Sequence, residues 1–244
     1  MVLRKVTLFF ILVFLELSTN AQDSYNFAHL GVGFFGSYNT PYADLKQANK
    51  GKTFNITGYY NLTPYIPIGL EIQFGSLSGG SIVTDPAKRQ YENHYTAVIL
   101  HGDFAFGEIL DYEGDFFLKF VKDIYVGTGV GVINNNMKFI QRTNLVASEG
   151  YPVGTYTFPG QNQSSNILVP IRLGYEFKIY SAYDEPFIGI NIGYIHNMTW
   201  GEGLDGYTDP PSGFKNNAQD QFSQIVVGVK FNFGTAAPYI KQIN

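Results

Sequence analysis

Cysteine is absent from the chain. That excludes disulfides, thiolate metal centres, cysteine nucleophiles and a lipid-anchored amino terminus, which needs a cysteine at its cleavage point. Charge is scarce: Asp, Glu, Lys and Arg make up 15% of the 244 residues, against about 25% in an average soluble domain. The 16 Lys and Arg against 20 Asp and Glu leave a net charge of −4. No basic stripe gathers the cations, so a nucleic-acid partner is not expected. Past the amino terminus there is no apolar run near the ~20 residues that a membrane-crossing helix needs. The mature chain is therefore either soluble or crosses a membrane as strands.

What the chain does contain is aromatic and small: 21 Phe, 18 Tyr and 27 Gly, with a single Trp. Residues 1–21 read as a secretory signal peptide. Arg4 and Lys5 supply the positive start, residues 6–15 the apolar run, and Thr19 and Ala21 the small residues before cleavage. The run is about ten residues, too short to span as a helix. Residues 22–244 then form one domain, a barrel with a short tail over 235–244.

The organising stretch is 166–179. Ile167, Val169, Ile171, Leu173, Tyr175 and Phe177 alternate with Leu168, Pro170, Arg172, Gly174, Glu176 and Lys178. Successive side chains of a strand point to opposite faces, so one face is apolar and the other carries the charges. Similar alternation marks 27–38, 53–62, 68–75, 94–106, 123–134, 187–197 and 220–234. The expected fold is all-β, an eight-stranded antiparallel up-and-down barrel. The polar connections 39–52, 76–93, 135–165 and 198–219 are long. Those over 63–67 and 180–186 are shorter, and 107–122 is mixed, with a short amphipathic piece at 115–121. Antiparallel order gathers the long connections at one end, the asymmetry of a transmembrane β-barrel with external loops and periplasmic turns.

Alternation alone does not say which face meets water. The polar faces decide it. They are built from residues such as Gly127, Gly129 and Gly131, with few charges, whereas a solvated face carries interspersed charges of both signs. Small residues suit the inside of a narrow barrel that has room for side chains and little else. The apolar faces end in aromatics such as Tyr60, Phe74, Phe104, Phe106, Tyr175, Phe177, Phe231 and Phe233, which read as girdles at membrane boundaries. Pro170 cannot donate to a ladder and is expected at or above the outer rim.

The signal sequence, the eight alternating strands, and the runs Tyr125-Val126-Gly127-Thr128-Gly129-Val130-Gly131 and Val229-Lys230-Phe231-Asn232-Phe233-Gly234 resemble the small outer-membrane β-barrel family of OmpA and OmpX type. The resemblance covers 27–234. It implies a place in the outer membrane of a Gram-negative bacterium, lipid as the surrounding partner, and insertion by the outer-membrane assembly machinery, which reads the last strand. Family members commonly end on an aromatic; here the chain continues past Phe233.

The expected barrel-interior polar network is Glu71, His101, Asp103, Arg172, Glu176, Lys178 and Lys230. Buried charges must be paired, and both signs are present; the sharper alternative is a narrow proton or ion path. Tyr151, Tyr156, Phe158, Trp200, Tyr207 and Phe214 are candidate loop contacts for an extracellular ligand, or else they pack the loops together. A hydrolytic site needs a base beside its nucleophile: His196 has no adjacent serine, Ser37 lies too far along the strand from His29, His101 points inward beside Asp103, and His94 lies near a loop. Glu202, Asp205 and Asp209 match no defined calcium loop and read as a solvated acidic cluster. The expectation is a monomer without catalytic residues, metal or cofactor, with a structural or surface-binding role. The alternatives are an outer-membrane lipid-modifying enzyme and a soluble periplasmic lipocalin-like binder of a hydrophobic ligand.

Overall fold

The computed structural model describes residues 24–43, 45, 47–112, 114–147, 150–182, 184–201, 203–208 and 219–240. The expected signal peptide over 1–21, and Glu202, Asp209 and Phe214, lie outside them. Eight long strands make the wall: β1 (Ser24–Tyr42), β2 (Gly51–Thr63), β3 (Ile66–Gly80), β4 (Gln90–Ala105), β5 (Ile124–Ile140), β6 (Gln163–Tyr180), β7 (Pro186–Trp200) and β8 (Gln221–Ile240). Each pairs antiparallel with the next. The ring closes where β1 pairs with β8, from Tyr42↔Gln221 to Ser24↔Ile240. A two-residue strand, Ala48–Asn49, adds to β3 at Gly79 and Ser78.

The side-chain period of two fixes the two surfaces. Outward positions are apolar and exposed all round the wall: Phe34 on β1, Phe54 on β2, Leu70 on β3, Leu100 on β4, Val130 on β5, Leu173 on β6, Ile192 on β7 and Val227 on β8. Their inward neighbours are polar and buried, among them Asn55, Thr57, Glu71, Gln73, His101, Arg172, Asn191 and Lys230. The barrel is therefore inside-out relative to a soluble one. On β6 the outward apolar row runs from Ile167 to Ile179. At about 3.3 Å per residue that is about 40 Å along the strand, or about 30 Å along the axis at a tilt of about 40°. Inward glycines let neighbouring side chains in: a Cβ added to Gly69 would run into the His101 imidazole.

Three expectations are corrected. The residues read as a tail continue β8 to Ile240. The register passes from Leu30↔Phe233 to Ala28↔Ala236, so Gly234 and Thr235 together oppose His29. This is a β-bulge, and Gly234 supplies the positive φ of 110° that it needs. Second, Pro170 is not above the rim, because β6 extends beyond it to Gln163. The β5–β6 ladder skips from Thr128↔Ile171 to Gly131↔Leu168, as a residue without N–H requires. Thr128 Oγ1 donates to the Pro170 carbonyl at 3.0 Å.

The third correction concerns the two ends. One end carries the connections 43–50, 81–89, 141–162 and 201–220, and is called the loop end here. The other, the turn end, carries 64–65, 106–123 and 181–185 together with the terminal ends of β1 and β8. The connection 106–123 is longer than two of those at the loop end. It holds a 3-10 turn, Phe106–Glu108, and a helix, α1 (Phe116–Val121). Asp115 caps α1, its carboxylate accepting from the Phe117 and Leu118 amides. Among the described residues no helix is long and apolar enough to cross a membrane.

Candidate functional site

The interior is a stack of side-chain layers, each supplied by the inward parity of several strands. At the turn end Phe27, Tyr65, Ala105, Tyr112 and Tyr239 form an aromatic floor. The Tyr65 hydroxyl donates to that of Tyr112 at 2.7 Å. Lys178 stands over the Tyr65 ring, 4.2 Å from its centroid, and reaches Asp123 Oδ1 at 2.9 Å. Glu176 accepts from Asn191 Nδ2 at 3.2 Å. Lys230 donates to Asn61 Oδ1 at 2.8 Å and lies 4.6 Å from the centre of the Tyr59 ring.

The middle layer holds the densest charge. Arg172 Nε donates to Asp103 Oδ1 at 2.8 Å, and Nη1 to Glu71 Oε2 at 3.3 Å. His101 lies between the same two acids, Nδ1 3.4 Å from Asp103 Oδ2 and Nε2 3.7 Å from Glu71 Oε2. One guanidinium thus ties β6 to β3 and β4 across the lumen. Glu71 also accepts from Asn55 Nδ2 at 3.1 Å, and Gln73 bonds it too. Such partners are what a buried carboxylate needs to remain affordable inside a protein. Glu71, Asp103, Arg172, Glu176 and Lys178 border a cavity of about 30 Å³, room for about two waters at ~10–15 Å³ each.

Above lies a neutral layer. Gln224 Nε2 donates to Asn39 Oδ1 at 3.2 Å, Asn197 Nδ2 to Gln224 Oε1 at 3.0 Å, and Tyr95 Oη to Gln73 Oε1 at 3.3 Å. Higher still the filling is apolar: Ala97, Ile99, Ile133, Leu168 and Phe222 pack with Leu204, Phe158 and Tyr207 from the loops. The Arg89 guanidinium lies 5.6 Å from the Phe158 ring centre and 5.2 Å from that of Tyr207. Tyr207 Oη donates to the carbonyls of Gln141 at 2.7 Å and Gln90 at 3.2 Å. Burial pushes the Tyr207 phenol well above its usual range, so it remains a donor.

All seven residues read as interior point inward, but they do not meet in one cluster. Glu71, His101, Asp103 and Arg172 come together; Lys178 pairs with Asp123; Glu176 and Lys230 rest on amides. Asp123 lies outside the expected set, although the parity of Tyr125 and Gly127 places it inward. The buried neutral amides Asn55, Gln73, Asn197 and Gln224 lie outside it too. Loop contacts need a larger correction. Phe158 and Tyr207 are fully buried and pack the loops together, since a barrel mouth lined by Ile99, Ile133 and Leu168 must be covered by something apolar. Tyr151 is 50% exposed and Trp200 49%; Tyr151 stacks on Tyr156 at 5.1 Å. Asp205 is buried and caps the Tyr207 amide at 2.9 Å, so it belongs to no solvated acidic cluster.

Outside the wall, just beyond the apolar band toward the loop end, the outward rows of β4, β5 and β6 turn polar. His94, Thr96, Asn134, Asn136, Lys138, Gln163 and Ser165 border an open cleft of about 710 Å³. His94 Nε2 lies 3.1 Å from Glu92 Oε1, and Ser76 stands opposite His94 in register. The other histidines find Asn61 O (His29), Gln221 Oε1 (His196) and the two interior acids (His101).

No protein-family model and no curated protein matches the chain. Among solved structures it is similar to Neisserial surface protein A, with a TM-score of 0.47, 10% identity, and coverage of 86% of this chain and 99% of that one. Ail, the attachment invasion locus protein of Yersinia pestis, follows at a TM-score of 0.43, 10% identity, and 84% and 99% coverage. The N-terminal β-barrel domain of Pseudomonas aeruginosa OprF gives 0.36, 12% identity, and 83% and 97% coverage. The barrel itself rests on the closed hydrogen-bonded register.

Proposed function

We propose that this chain is a monomeric outer-membrane β-barrel of a Gram-negative bacterium, directed to the envelope by a signal peptide over 1–21 and inserted by the outer-membrane assembly machinery. Its role is structural and surface-binding, with no catalysis, cofactor or metal. One observation carries the reading: an uninterrupted belt of exposed apolar side chains encircles the wall, where soluble monomers keep such patches to a few hundred Å². The belt's height of about 30 Å matches the ~30 Å hydrocarbon core of a typical bilayer. The layered interior supports a rigid plug over an ion path, and the loops support a closed, folded outer face. Tyr151 and Trp200 are exposed aromatics there, and the cleft at Asn136 and Gln163 offers amides to an external ligand.

The test is cell fractionation followed by gel migration with and without boiling. The protein is expected in the outer-membrane fraction, with the unboiled band displaced from the boiled one. Recovery as a soluble periplasmic protein would overturn the reading.

A specific observation keeps lipid modification as the second reading. Glu92, His94 and Ser76 share the outward face just beyond the apolar belt, where a lipid ester would lie. No hydrogen bond joins Ser76 to His94, so this reading ranks below the first. Lipid profiles that differ between cells carrying the wild type and cells carrying Ser76→Ala would promote it; identical profiles would discard it.

A further inference from the structure

The helix α1 gives one side chain to the floor of the barrel and lies at the end opposite the outer loops. Its sequence, Phe-Phe-Leu-Lys-Phe-Val, is too apolar for a connection that faces water. Leu118 packs against the aromatic floor of the barrel. The three phenylalanines do not. Phe116 is 91% exposed, Phe117 68% and Phe120 51%. Lys119 is exposed among them. The patch is not isolated. The Phe120 ring stacks on Tyr175 at 4.7 Å with the planes 23° apart, and Tyr175 meets Phe177 at 4.4 Å. Tyr175 and Phe177 belong to the turn-end part of the outward apolar row of β6, which Ile179 completes. The helix therefore continues the lipid-facing belt around the turn-end rim.

We infer that α1 is an interfacial anchor that lies in the headgroup boundary of the phospholipid leaflet at the turn end of the barrel. The occupant of its open face is lipid, for two reasons. The patch is continuous with the belt, so whatever solvates Phe177 also reaches Phe120. It also combines aromatic rings with a lysine, the pairing that favours the boundary between acyl chains and anionic headgroups. The cap at Asp115 fixes where the helix begins, and Leu118 fixes its rotation, so the phenyl rings are held toward the bilayer. The inference rests on the membrane reading above.

The test uses the full-length protein in vesicles of phosphatidylethanolamine and phosphatidylglycerol. Trp200→Phe removes the native indole. Phe117→Trp, and separately Phe116→Trp, then report on the helix, and Phe231→Trp reports on the belt. Vesicles are prepared with and without bromine on the acyl chains near the headgroup. The expected result is loss of most of the helix indole emission in brominated vesicles, with little quenching by aqueous iodide. Two outcomes overturn the anchor. If the belt indole is quenched by bromine while both helix indoles respond only to iodide, α1 faces water or a protein. If the belt indole is not quenched either, the barrel is not in the bilayer, and the membrane reading falls with the anchor. A boiling-dependent gel shift in each variant confirms that the barrel is folded before it is scored.

Discussion

Arg172 is the residue on which the interior turns. It reaches one carboxylate on β3 and another on β4 from a strand on the far side of β5. Ion pairs held away from water do not add much net stability over a well-packed apolar filling, but breaking one is costly because a charge remains without its partner. Arg172→Met therefore leaves Glu71 and Asp103 facing each other across His101. The expected loss is about 3–5 kcal/mol, read from urea unfolding of the detergent-solubilised barrel. Adding Glu71→Gln and Asp103→Asn to the same chain removes the stranded charges, so the triple variant is expected to recover most of that loss. Simple additivity of the three substitutions would contradict the account, since residues in one network couple.

At the scale of elements, the bulge in β8 is the feature that lets the last strand reach Ile240. Without the extra residue opposite His29, Tyr239 would change faces and leave the aromatic floor, where it lies 6.3 Å from Phe27 and 6.2 Å from Tyr65. Gly234→Val forces a branched side chain onto a φ of 110°. Strain of that kind costs about 1–3 kcal/mol, expected as a lower unfolding midpoint with the belt unchanged. The sequence shows the strand order and the sense of each face because apolar and polar residues alternate wherever the wall has two different environments. The alternation fades where both environments are polar. Residues 135–140 of β5 and 163–165 of β6 are strand, yet Asn136, Gln163 and Ser165 point outward as polar groups and read as loop. The bulge was hidden for a different reason: Gly234 looks like an end, and only the pairing partner shows that it is a joint. Among the interior residues, charged ones stand out against the apolar face, whereas Gln73 and Gln224 do not, because neutral amides are common everywhere.

On the scale of the whole molecule, the layers act as seals in series. Toward the loop end, Phe158, Tyr207 and Leu204 close the mouth over Ile133 and Leu168. Midway, Arg172 with its acids and the amides of Gln73, Asn197 and Gln224 fill the cross-section. At the turn end, Tyr65, Tyr112 and Tyr239 form the floor. An eight-stranded ring leaves an interior just wide enough for its own side chains, so each layer blocks passage alone. The prediction is that the purified barrel in a planar bilayer gives no conductance steps. The sharper prediction concerns the pair Phe158→Ala and Tyr207→Ala. Truncating buried aromatics costs about 3–5 kcal/mol each, so the variant is expected to be less stable, with loops that become cleavable by protease from outside. It is nevertheless expected to stay closed to ions, because the charged layer and the floor remain beneath the lost cap. Steps of conductance in the wild type would show that the layers rearrange together; steps only in the pair variant would show that the cap is the one seal that matters. A silent variant with a protease-sensitive outer face is the result that layers in series require.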